Sequence, residues 1–186
     1  MSLEDNKLIQ EGIELIRQAG EDTFPNDIYD WTRWTAPIIQ SPSYLNDVLQ
    51  NLGFLGETLQ SIRLLSAWVS EGEVYTDEPV IFEFTSGDRL ELEFVGGGTV
   101  RISRSRLPRT LKRACAFEPD ARFRFCIGQP LTAAEVVETK TFPVNALYYE
   151  QTLRRGETYI EKIVLRFGER ALVLSSGLDE AKLELI

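Results

Sequence analysis

Apolar residues recur at helical spacing in the first third of the chain. In residues 3–19 they fall three or four positions apart and Gly20 follows, which predicts an amphipathic helix. A shorter helix is predicted over residues 44–52, with Ser43 as its N-cap and Gly53 at its end. The stretch between the two helices is rich in Pro, Asp and aromatic residues, so we expect an irregular, packed connection there.

Beyond the second helix, apolar and polar residues alternate in the manner typical of β-strands. The clearest case is VIFEFTSGDRLELEF, residues 80–94, in which two alternating runs flank a turn with Gly87 at a position that favours positive φ. This segment predicts a β-hairpin. Its apolar side chains are expected to face the core, and Glu91 and Glu93 are expected on the solvent side.

A weak internal repeat runs through this β-rich part of the chain. LGETLQSIRLL (55–65) aligns without gaps on IGQPLTAAEVV (127–137), and a variable insert then leads to a hairpin in each copy, over 80–94 and 163–175. One more strand candidate follows each hairpin, so we predict two related three-stranded β units. Chance similarity is the alternative explanation, because glycine and leucine are common residues.

These elements predict a single α+β domain over residues 1–186. N-terminal helices and an aromatic connector (1–54) are expected to pack on a mostly antiparallel sheet. The sheet is built from the first β unit (55–106) and the second (127–186), joined by a basic connector (107–126). The two units are expected to form a sandwich or a barrel-like arrangement.

Composition places the chain among soluble globular proteins, with 43% hydrophobic and 26% charged residues. No window approaches the roughly 20 apolar residues of a membrane span, and the acidic start does not resemble a secretion signal. Two cysteines do not make a disulfide framework. We therefore predict a cytoplasmic protein without a membrane partner. The net charge of −9 disfavours unspecific binding to nucleic acid and favours basic partners.

The chain contains no histidine, which removes several classes of chemistry. Serine and cysteine nucleophiles activated by histidine are excluded, as are metal sites built on imidazole. No CxxC pair is present either. Only metals with oxygen ligands, such as magnesium or calcium, remain possible. We predict no cofactor and no metal site, and an enzymatic activity is disfavoured.

Aromatic residues are the candidates for contact with a protein partner. Trp31 and Trp34 share one face if their segment is helical, and Tyr148 and Tyr149 lie in the insert of the second unit. Such residues anchor interfaces, although aromatic side chains more often fill the gap between a helix and a sheet. The partner-binding residues predicted here are Trp31, Trp34, Tyr148 and Tyr149.

A basic segment next to a glycine triplet offers a different site. Eight basic and only two acidic residues lie between Arg101 and Arg124, and clustered cations can bind phosphate groups. The triplet at residues 96–98 is followed by a strand pattern, so we predict a hairpin tip there rather than a phosphate-binding loop. The candidate anion-binding residues are Arg101, Arg104, Arg106, Arg109, Lys112 and Arg113.

The leading hypothesis for function is a non-enzymatic acidic module that docks a basic protein partner, as small inhibitor or immunity proteins do. One alternative is phosphate or nucleic-acid binding through the basic segment 101–124. Another is a hydrolase that uses carboxylates in a cleft. A homodimer is compatible with each of these hypotheses.

Overall fold

The computed structural model describes most of the β-rich part of the chain. The described residues are 10–11, 13–14, 38–64, 67–70, 73–76, 79–95, 98–105, 121–140, 158–176 and 181–186. They include an α-helix, α1 (Pro42–Asn51), a 3₁₀ helix (Ala121–Cys126) and the strands β1 (Ile38–Ile39), β2 (Leu59–Leu64), β3 (Ala67–Ser70), β4 (Glu73–Thr76), β5 (Val80–Phe84), β6 (Arg89–Phe94), β7 (Val100–Ser105), β8 (Leu131–Thr139), β9 (Tyr159–Phe167), β10 (Arg170–Ser176) and β11 (Ala181–Leu185).

The strands form two antiparallel sheets. The first sheet has the order β1-β7-β6-β5-β2, and the second has the order β3-β4-β11-β10-β9-β8. Among the described strands each order has two ends, so neither sheet closes into a barrel. The predicted mixture of helices and mostly antiparallel strands is therefore confirmed at this level, with two open sheets in place of a barrel. No helix in the described ranges is both long and apolar enough to cross a membrane.

Helix α1 begins at a capped proline and ends before a glycine. Ser41 is the N-cap, because its hydroxyl accepts a hydrogen bond from the Tyr44 N–H, and Pro42 occupies the first turn, where no N–H is needed. The prediction of Ser43 as the cap is therefore wrong by two residues. Gly53 follows the helix at φ 82°, as predicted for its end. In the region predicted to form the first helix, residues 10–11 and 13–14 are helical.

The two halves of the β structure share one pattern of strand pairing. We define the first half as β2, β5, β6 and β7, and the second half as β8, β9, β10 and β11. Each half is an antiparallel meander with its strands paired in chain order. A register shift follows the first residue of the leading strand in both, between Leu59 and Ser61 and between Leu131 and Ala133. Each half thus has four strands rather than the predicted three, because the matched blocks are themselves strands.

The halves meet at a seam of reciprocal hydrogen bonds. The Gly56 N–H donates to the Leu131 carbonyl at 2.8 Å, and the Gly128 N–H donates to the Leu59 carbonyl at 2.8 Å. Both glycines have positive φ, 89° and 78°, so they turn the chain in the same way. A second reciprocal pair joins Leu131 N–H to Glu57 C=O at 2.9 Å and Leu59 N–H to Gln129 C=O at 3.0 Å.

Inner faces of the two sheets share one hydrophobic core. Alternate residues along the strands of both halves belong to a single buried cluster, which also includes side chains from α1 and the 3₁₀ helix. Among its largest members are Phe54, Phe82, Phe84, Phe123 and Phe167. The inner face therefore explains why two sequences with little identity fold with the same register.

The glycine triplet lies at the connection between β6 and β7. Gly98 is buried with φ 71°, and a Cβ placed there would lie 2.9 Å from the Cβ of Tyr159. Its carbonyl accepts a hydrogen bond from the Ile160 N–H at 3.3 Å. Gly98 is therefore required by close packing of this connection on β9, and the other two glycines lie outside the described residues.

Candidate functional site

Most of the residues predicted to bind a partner or an anion lie outside the described residues. Arg101 and Arg104 are the two that the structure describes, and both belong to β7. The remaining candidates lie outside the described residues: Trp31, Trp34, Tyr148, Tyr149, Arg106, Arg109, Lys112 and Arg113.

Arg101 lies on the outer face of the first sheet, the face turned away from the shared core. It stands opposite Glu93 in the pairing of β6 with β7, and its Nη1 donates to Glu93 Oε2 at 2.8 Å. Both side chains are mostly buried, with 17% and 11% of their surface exposed. The guanidinium therefore carries an internal ion pair.

Arg104 lies on the opposite face of the same strand, because it is three residues from Arg101 and successive side chains of a strand point to alternate faces. Its guanidinium donates to the Asp88 carboxylate and to the Leu52 carbonyl just beyond α1. It also lies 4.8 Å from the centre of the Phe54 ring. Arg104 thus joins the end of α1, the turn before β6 and strand β7. The structure does not bring Arg101 and Arg104 together into one anion site.

Glu83 lies at the centre of a charged network on the outer face of the first sheet. Its carboxylate accepts a hydrogen bond from Ser61 Oγ, pairs with Arg63 Nε at 2.8 Å and pairs with Arg89 Nη2 at 2.9 Å. Burial alone would raise its pKa, but the hydrogen bonds from Ser61 and Arg63 and the charges of Arg63 and Arg89 together lower it below that of an ordinary glutamate. Glu83 is held as a carboxylate.

Glu91 and Glu93 are buried, contrary to the prediction that they face solvent. Glu91 is 2% exposed and accepts a hydrogen bond at 2.6 Å from Ser103 Oγ, which is itself fully buried. The period-two pattern correctly separated them from the apolar face but could not show that these two side chains are buried. A sequence signal was present, since a cation or a hydroxyl stands opposite each glutamate in the neighbouring strand.

This network is suited to holding charges in place rather than to acid–base chemistry. Glu83 has a lowered pKa, whereas a general acid would need a raised one. The neighbouring carboxylates Glu91 and Glu93 each accept a hydrogen bond, from Ser103 and Arg101 respectively. Within the described ranges, no group of three or more acidic or cysteine side chains is placed to hold a metal ion.

Cys126 is a buried thiol whose setting disfavours the thiolate form. Its thiol is buried, and burial raises its pKa to about 12 although the charge of Arg170 acts in the opposite direction. The cysteine occupies the position in the second half that Phe54 occupies in the first, directly before the equivalent turn. A role in packing accounts for it.

Exposed carboxylates are found where α1 packs on β8. Gln50 Nε2 donates to the Ala134 carbonyl, and the Val136 N–H donates to Asn46 Oδ1 at 3.4 Å. These contacts cover the outer edge of β8. Helix α1 also carries Asp47, and β8 carries Glu135 and Glu138, which stand opposite Val164 and Ile160 respectively. We call this group, Asp47, Glu135 and Glu138, the acidic surface.

The acidic surface differs from the charged network in its exposure. Glu135 is 59% exposed and Glu138 is also exposed, whereas Asp47 is half-buried. Arg166 approaches Glu135 only to 4.0 Å and is itself 49% exposed, so this pair is weak. Sequence reasoning missed this surface, because it depends on the packing of α1 against a strand that lies far away in the chain.

No match to this chain is found among protein families, curated proteins or solved structures.

Proposed function

We propose that this protein is a non-enzymatic module that docks a basic protein partner through the acidic surface. The observation that supports this proposal is the division of charge between two places. Carboxylates of the first sheet are held in internal pairs, whereas Glu135 and Glu138 are exposed on β8, the strand on which α1 packs. With a net charge of −9, such a surface attracts a basic partner over long distances.

Neutralising the acidic surface tests this proposal. The triple variant Asp47→Asn, Glu135→Gln, Glu138→Gln removes its charges while keeping side chains of similar size. The tagged protein and the variant are each used to capture partners from the native lysate, with nuclease, at low and moderate salt. We expect the original chain to retain one basic protein in near-equal amount and the variant to lose it. Binding should weaken as salt rises.

A matched control separates a local effect from the effect of net charge. Glu57→Gln, Glu169→Gln, Glu184→Gln makes the same change in charge at carboxylates outside the acidic surface. We expect this control to retain the partner. Equal loss from both triple variants would overturn the assignment of the surface, and a chain that captures no basic protein would overturn the proposed function.

The basic segment supplies the competing proposal, in which the eluate contains nucleic acid that is lost at higher salt. Arg101 and Arg104, its two described candidates, are both held in ion pairs with buried carboxylates. These contacts count against an anion site at Arg101 and Arg104. Absorbance of the eluate at the wavelength of nucleic acid, measured without nuclease, distinguishes the two.

Aromatic anchors remain a separate part of the proposal. If Trp31 and Trp34 contact the partner, alanine at either position weakens capture and leaves the thermal unfolding midpoint unchanged. Normal capture by both variants would remove them from the interface.

A further inference from the structure

The outer edge of β1 corresponds to an edge that is occupied elsewhere in the molecule. Strand β1 pairs with β7 through Ile38 opposite Arg101. Strand β4 pairs with β11 through Tyr75 opposite Lys182. Because β7 and β11 are equivalent strands of the two halves, β1 and β4 occupy equivalent places. In the second sheet a further strand, β3, pairs with the outer edge of β4. Among the described strands, the first sheet ends at β1.

Backbone groups of Ile38 point away from the first sheet. The Val95 N–H donates to the Thr99 carbonyl at 3.0 Å, and bonded pairs alternate along an antiparallel ladder. The backbone N–H and C=O of Arg101 therefore bond to β6, and those of Val100 bond to β1. The backbone N–H and C=O of Ile38 consequently face outwards. The same alternation in the second sheet directs Tyr75 towards β3, where it stands opposite Trp68.

Exposure of the side chains agrees with an accessible edge. Ile38 is 49% exposed, and Gln40 is exposed next to it. Val95, 37% exposed, lies on the same face two positions beyond Glu93. An exposed apolar residue is ordinary by itself. Here it coincides with outward backbone groups and with an equivalent edge that already holds a strand.

We propose that the outer edge of β1 receives an extended segment of a partner protein, which pairs antiparallel with β1 as β3 pairs with β4. The segment places an apolar residue opposite Ile38, in the position that Trp68 takes opposite Tyr75. Main-chain hydrogen bonds hold the segment and the apolar pair sets its register. This edge is distinct from the acidic surface, so a negative result for strand pairing at β1 would leave the proposed function untouched.

The chain itself supplies a probe for this edge. A synthetic peptide LSAWVSEG, residues 65–72, carries the sequence of β3. Titrated into the full-length, isotope-labelled protein, it should cause saturable shifts of the amide signals of residues 38–40 and slow the exchange of the Ile38 amide. A peptide N-methylated at the tryptophan cannot donate to the Ile38 carbonyl and should bind at least about tenfold more weakly.

Three results of the peptide titration would overturn the proposal. Absence of saturable shifts, shifts centred on β4, or equal binding of the methylated peptide would each do so. Shifts at residues 38–40 that depend on protein concentration alone would assign the edge to a second copy of the chain. The variant Ile38→Pro lacks the outward N–H and should lose the peptide without a change of sheet pairing, because proline is tolerated at sheet edges.

Discussion

The outer faces of the two sheets differ in chemistry although their backbones pair alike. In the first half this face carries Glu83, with arginines around it. In the second half the equivalent face is centred on an apolar cluster of Val164, Ala171 and Val173. The inner faces are apolar in both halves, except at the end of β7, where Arg104 pairs with Asp88. Strand register is therefore set by the inner face, and the outer face is free to hold either ion pairs or aliphatic side chains.

Replacing Arg104 should cause the largest loss of stability among the variants that test this comparison. Arg104→Leu gives the first half the residue type that the second half has at the equivalent position, Leu185. It removes a mostly buried ion pair with Asp88 and the hydrogen bond to Leu52. We expect the free energy of unfolding to fall by about 3–4 kcal/mol, measured by denaturant titration. Lys140→Leu, an exposed position with the same change in charge, should cost no more than about 0.5 kcal/mol.

Glu83 and Arg166 provide a matched pair, because they follow the register shift at equivalent places in the two halves. Glu83→Ala leaves Arg63 and Arg89 without this carboxylate, and we expect a loss of roughly 3 kcal/mol in the free energy of unfolding. Arg166→Ala removes only an exposed 4.0 Å pair and should cost less than about 1 kcal/mol. Similar losses in the two denaturant titrations would contradict the distinction between the faces.

Glycine substitutions should show where the halves are alike. Gly56→Ala and Gly128→Ala introduce a side chain at positive φ with no atom within 4 Å. Each should lower the free energy of unfolding by about 1–2 kcal/mol, and by the same amount. Gly98→Ala adds a close contact with Tyr159 to the same backbone strain and should cost more. Unequal effects at Gly56 and Gly128 would show that the two turns are not equivalent.

Acid should destabilise the protein partly through Glu83. The pKa of this carboxyl is lower in the folded protein than its ordinary value of 4.5, so the unfolded chain binds the proton more readily. The stabilisation that the Glu83 carboxylate gives is therefore complete above pH 4.5, and it is lost as the pH falls through the pKa of Glu83 in the folded protein. Unfolding titrations at a series of pH values should show a shallower acid loss for Glu83→Gln. An identical pH profile for both proteins would contradict this account.

Local patterns allowed the prediction of much of the fold. Alternation identified the hairpin over 80–94, and the matched glycine–leucine blocks pointed to similar local structure at two places. The assignment to two sheets was not predictable, because strands β3 and β4 belong to the second sheet while their neighbours β2 and β5 belong to the first. Nothing in the alternation of single strands specifies which sheet a strand joins.

The candidate site was less predictable than the fold. Counting charges marked Arg101 and Arg104 as available cations, but the counterions that hold them come from Glu93 and Asp88. Glu93 stands opposite Arg101 in the adjacent strand, so its contact could be found once the hairpin register was known. The contact of Arg104 with the end of α1 depends on tertiary packing. Burial of both arginines likewise follows from packing and not from sequence spacing.

The central claim is that two equivalent halves join through reciprocal hydrogen bonds, and scalar couplings across those bonds test it most directly. In the labelled full-length protein we expect couplings from the Gly56 amide to the Leu131 carbonyl and from the Gly128 amide to the Leu59 carbonyl. Both should have similar size, because both bonds have the same length of 2.8 Å. Detection of only one coupling, or of amide partners elsewhere, would contradict the equivalence of the two halves.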